Sequence, residues 1–151
     1  MPVSKRATTD GIHKGLFKPH GRMQLEQSGQ LNILEAHGPF NLELVIAADK
    51  AQEDLYATLV GKGRWGTVLI FRENAMASPD ALAEITKILL RRRSQGFVPV
   101  AVAFVFGPRV EGANLMKAHY LNAYKLAGIE GRMFDNEEMA KEWVAHVIAV
   151  P

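Results

Sequence analysis

The chain has 151 residues, 48% hydrophobic and 23% charged, which is about one domain of ordinary globular composition. It has no cysteine, so disulfides, thiol nucleophiles and thiolate metal sites are excluded. The net charge of +2 is unevenly placed: residues 1–22 hold Lys5, Arg6, Lys14, Lys18 and Arg22 against Asp10 alone, leaving 13 of the 18 bases and 15 of the 16 acids to the rest. Nucleic-acid binding therefore has only this leader to rest on and is not expected of the domain.

Residues 1–22 show no period and contain Gly11, Gly15, Pro19 and Gly21, so they read as an irregular basic arm. Ile12, Leu16 and Phe17 are available to pin that arm onto the fold or onto a second subunit. A single α/β domain is read over 23–151. Met23 to Ser28 alternates, and Leu31 to Ala36 follows the turn Gly29-Gln30, which predicts a hairpin. After the break His37-Gly38-Pro39-Phe40, Asn41 stands as an N-cap, with Phe40 and Val45 spaced as a hydrophobic staple. Leu42, Val45, Ala48, Ala51, Leu55 and Leu59 give the helix one apolar face, and Gly61 and Gly63 stop it.

Thr67 to Phe71 reads as a buried strand and Arg72 to Ala77 as a loop. Ser78-Pro79-Asp80 is a strong helix start: a hydroxyl cap, proline in the first turn and an acid at the positive end of the dipole. Val98 to Phe106 is almost wholly apolar, as expected of a strand covered on both faces, with Pro99 tolerated only near its start. A third helix is read over Ala113 to Leu126, then a brief strand at Met133-Phe134. Asp135 and Glu138 have the spacing of a capping box for a fourth helix whose buried stripe is Ala140, Trp143, Val144 and Val147. No N-terminal apolar segment resembles a signal peptide, and the run Phe97 to Phe106 falls short of the roughly 20 residues of a membrane span. A cytoplasmic protein without a transmembrane segment is the expectation.

This order, with Gly38-Pro39-Phe40-Asn41-Leu42-Glu43 opening the first helix, resembles the SpoIIAA-like (STAS) family, and most of all its small stand-alone bacterial members. Trp65, Ser78-Pro79-Asp80-Ala81 and the stretch Phe134 to Trp143 are similar to that group, and the resemblance covers about residues 20–150. It implies a mixed five-stranded sheet with an N-terminal hairpin and four helices. It also implies a non-catalytic interaction or regulatory module, or a domain that binds a small ligand or lipid. Members of this family include anti-sigma-factor antagonists switched by phosphorylation within Asp-Ser-Ser/Thr-Gly. Here the matching stretch is Ala77-Ser78-Pro79-Asp80, so only Ser78 corresponds, as a possible phosphorylation site, and the flanking aspartate and glycine are absent.

Open α/β sheets bind ligands beyond the carboxyl ends of their strands. That rim is expected to carry His37, Asn41, Glu73, Asn74, Ser78, Arg109, Glu111 and Asn114. Two readings stand: convergence on a polar ligand, or loop residues in water with Asn41 and Ser78 as caps. The second is preferred, because spacing alone does not establish convergence. Gly61-Lys62-Gly63-Arg64-Trp65-Gly66 leads from helix to strand, the wrong direction for a phosphate loop. Arg91, Arg92 and Arg93 read as a solvated end of the second helix, favourable to its dipole. His13, His20, His37, His119 and His146 lack metal-ligand spacing, no cofactor fingerprint is present, and Tyr120 and Tyr124 read as packing residues. A homodimer is expected from open sheet edges and an apolar-containing arm. An enzyme using His37 or His119 with a neighbouring carboxylate is the rival class.

Overall fold

Residues 5–12, 17–59, 61 and 63–150 are described by a computed structural model of the chain. His13, Lys14, Gly15, Leu16 and Lys62, invoked above, lie outside the described residues. The elements run β1 (Lys5–Thr8), β2 (Arg22–Ser28), β3 (Leu31–His37), α1 (Leu42–Leu59), β4 (Gly66–Arg72), α2 (Pro79–Ser94), β5 (Ala101–Phe106), α3 (Ala113–Leu126), β6 (Glu130–Phe134) and α4 (Glu137–Ala149). They form one six-stranded mixed sheet in the order β1-β2-β3-β4-β5-β6. β1, β2 and β3 pair antiparallel, and β3 through β6 pair parallel.

The α/β class, the hairpin and the four helices agree with the sequence, but the sheet has six strands and not five. The extra strand lies in the segment read as an irregular arm. Lys5-Arg6-Ala7-Thr8 lacks apolar alternation because it is an edge strand that is largely exposed. Backbone pairing to β2 holds it, and Thr9 extends that pairing by accepting from the Met23 N–H at 2.9 Å. Lys5 and Arg6 also make this edge a poor template for pairing with another strand.

Three further boundaries differ, the first being β6, which begins at Glu130 and not at Met133. β5 begins at Ala101, three residues after Val98, since Pro99 has no N–H to give to a ladder. The cap of α4 is Asn136, not Asp135: its backbone is extended and its side chain accepts from the Met139 N–H at 3.0 Å. Asp135 therefore stands one residue outside the helix end.

Strand alternation sorts the core onto two faces. Leu34, Leu69, Phe71 and Phe104 point toward α1, α2 and α3, forming the larger core with Leu44, Leu55, Leu89 and Met116. Val68, Ile70, Ala103 and Val105 point the other way and meet Ala140 and Val144 of α4. β4 and β5 are thus covered on both sides, which is why they read as continuous apolar runs. Among the described residues, no helix is long and apolar enough to cross a membrane.

Candidate functional site

The carboxyl-end rim is built mostly from structural contacts. Asn41 caps α1 through the Leu44 N–H at 3.0 Å. The same side chain accepts from the His20 N–H at 2.8 Å and donates to the Lys18 carbonyl at 2.9 Å, tying the preceding segment to the helix end. Ser78 caps α2, accepting from the Ala81 N–H at 3.3 Å while its hydroxyl donates to Asp80. Asn74 accepts from the Met76 N–H at 2.8 Å, and its backbone bridges to Glu111. Glu73 has a φ of 63°, the left-handed region that costs a non-glycine residue conformational energy. Arg109, Glu111 and Asn114 are exposed, and among the described residues their side chains have no bonded partner.

His37 and Glu73 are the rim residues that join an ionic cluster among the described residues. The His37 ring nitrogens lie 3.2 Å from Glu35 and 3.8 Å from Glu73. Arg72 also bonds Glu35, at 3.2 Å, and reaches Glu137 on α4. Burial alone would lower the Arg72 pKa, but its bonds to Glu137 and Glu35 outweigh that and hold it above the ordinary value. Glu35 and His37 alternate with Leu34 and Ala36, so this network faces α4, whereas Leu34 and Ala36 face the other helices. His119 is exposed. Among the described residues, no three His, Cys, Asp or Glu side chains gather as a metal site requires.

A cavity lined mainly by apolar side chains lies elsewhere. It occupies about 90 Å³ between the sheet, α1 and α2, with Tyr120 and Tyr124 contributed by α3. None of the rim residues lines it. Leu34, Leu69 and Phe71 form its floor, while Val45 and Ile88 belong to its helical walls. At the amino ends of β4 and β5 it is bounded by Trp65, Phe97 and Tyr56, whose ring centroids stand 4.9 to 5.5 Å apart.

A polar cluster that the sequence reading did not identify sits at this end. Arg92, only 8% exposed, lines the cavity with Asp49, Gln52 and Tyr56. Its guanidinium donates to Tyr56 Oη at 2.6 Å and to Asp49, and its carbon lies 4.2 Å from the Tyr56 ring centroid. Tyr56 in turn donates to Gln52. Arg91 bonds the second Asp49 oxygen at 2.7 Å, and this bond raises the Arg91 pKa. Burial pushes the Tyr56 phenol up, against the opposing influence of Arg92.

Arg92 is therefore not solvated as the sequence suggests, whereas Arg91 stays exposed while bonding the same Asp49 across two helices. The local cause is spacing. Asp49, Gln52 and Tyr56 stand at i, i+3 and i+7 on α1, one helical stripe, and they face the last turns of α2. Polar residues interrupting the apolar stripe of α1 were the available signal. No family model matches this chain, and no curated protein or solved structure matches it.

Proposed function

We propose that this chain is a non-catalytic binding domain that holds a small, largely apolar molecule between its sheet and helices α1 and α2. The observation that supports this reading is the cavity of about 90 Å³, walled by aliphatic and aromatic side chains with one polar end. A cavity of roughly 150 Å³ takes benzene, so by that scale this space suits a ligand of only about three to five non-hydrogen atoms. This size favours a small molecule over a long-chain lipid. This reading places the ligand between the sheet and its helices, with the polar contacts toward the amino ends of β4 and β5.

The interaction or regulatory role implied by the SpoIIAA-like resemblance fits around this reading. α1 and α2 both line the cavity, so occupancy would bias their spacing. A domain without chemistry of its own would then act through whatever partner reads those helices. Thermal unfolding in the presence of propanol tests the cavity. Propanol is expected to raise the Tm of the native chain by ligand linkage and to leave that of Ala48→Phe, which fills the space, unmoved. No shift in the native chain would remove the proposal.

A further inference from the structure

We infer that the occupant of this cavity is a small monocarboxylate, with its apolar body against the sheet and its carboxylate on Arg92. The inference rests on the binding reading above and adds the ligand's chemical class. Three observations carry it.

The first is charge. Arg91 and Arg92 share one carboxylate, Asp49, so the trio keeps one net positive charge. Glu53 and Glu84 act on Arg91, the half-exposed member, and neither of them lines the cavity. A monoanion completes the balance at Arg92. A phosphate dianion would overshoot it, and a neutral molecule would leave it open.

The second is hydrogen bonding. Arg92 donates one N–H to Tyr56 and one to Asp49. Among the described residues, the other donors of its planar fork have no partner. Such a fork is shaped for the two oxygens of a carboxylate. Because Arg92 is 8% exposed, a bond there would form largely out of water, where charge-assisted hydrogen bonds are strongest.

The third is amphipathic order. Asp49, Gln52, Tyr56 and Arg92 cluster at the end bounded by Trp65 and Phe97, while aliphatic and aromatic side chains, Phe40, Phe71 and Tyr120 among them, line the remainder. That order suits a molecule with one charged end and a short apolar body.

Trp65 lines the cavity and Trp143 does not, so the Trp143→Phe variant makes Trp65 the sole indole reporter. Propanoate and its neutral counterpart propanamide are titrated against it. Propanoate is expected to change Trp65 emission saturably and to bind at least about tenfold more tightly than propanamide. Arg92→Met is expected to bring propanoate down to the propanamide level. Should that variant not fold, Arg92→Lys keeps the charge and loses the fork, and is expected to weaken propanoate by at least about threefold. Equal binding of the two probes in the native cavity overturns the carboxylate inference while leaving the binding domain standing. Absence of saturable binding by either probe overturns both. Propanoate affinity unchanged by a folded Arg92 variant overturns the role of Arg92.

Discussion

Gly66 lies directly against Val144: a Cβ built on the glycine would stand 2.3 Å from Val144 Cγ1. The first residue of β4 and the buried stripe of α4 are thus in backbone-to-side-chain contact. Gly66→Ala is expected to push α4 from the sheet and to lower stability by about 1–3 kcal/mol, the usual cost of overpacking a filled core. Urea denaturation monitored by circular dichroism reads this directly. A midpoint equal to the native one would mean that α4 yields without cost.

Asp49 predicts two unequal losses from one carboxylate. Asp49→Ala leaves the largely buried Arg92 without its counter-charge and is expected to cost roughly 3 kcal/mol. Arg91→Ala removes a partner whose side chain is 49% exposed, and its cost is expected to stay below about 1 kcal/mol. Equal effects in chemical denaturation would show that the inter-helical pair is not anchored at Arg92.

Asn32 offers a gain. It is 0% exposed, and its amide nitrogen and oxygen have no partner among the described residues. It stands on β3 opposite Gln27 and Thr67, on the face shared with Leu34. Asn32→Val trades an unpaired buried amide for a strand-favouring side chain and is expected to raise stability by about 1–2 kcal/mol. A lower urea midpoint would show that the amide is satisfied in solution.

The three tyrosines, Tyr56, Tyr120 and Tyr124, all have phenols raised above the usual 10.0, with burial the main cause. Tyr120 also donates to the buried Ala75 carbonyl at 2.6 Å. A phenol whose folded pKa exceeds its unfolded one holds its proton more tightly in the folded state. The resulting stability is whole below the ordinary phenol pKa and is lost as pH climbs beyond it. At about pH 11 the folded protein is expected to show little phenolate absorbance and a lower urea midpoint than at neutral pH. Phenolate absorbance rising near the ordinary pKa while circular dichroism remains native would contradict this.

Ser78→Ala is expected to cost about 1 kcal/mol through loss of the cap on the Ala81 N–H. Ser78→Asp, which restores a capping acceptor, is expected to recover most of it. A cost well beyond this range would assign Ser78 a role other than capping.

What the sequence made legible was local. Ser78 and Asn41 were readable as caps because an acceptor preceded an apolar helical stripe, and α3 spans the predicted Ala113–Leu126. β4 and β5 were readable because burial on two faces leaves an unbroken apolar run. β1 escaped because an exposed edge strand needs only backbone partners. Arg92 escaped because three consecutive arginines at a helix end look alike in sequence. Only packing against Asp49 and Tyr56 separates the buried one from its neighbours. The cavity's location escaped for a related reason: its lining comes from six elements and the loops around them, and no single segment encodes a void.

Each strand of the sheet pairs with the strand that precedes it in the chain. A polypeptide leaving the ribosome therefore finds its docking edge already built at every step, and no strand waits for a later one to be inserted beside it. Assembly is free to proceed from the amino end, one unit at a time. Helix α4, which follows β6, then turns back to cover the rear of β4 and β5, so it seals a face that the strands leave open until they are all in place.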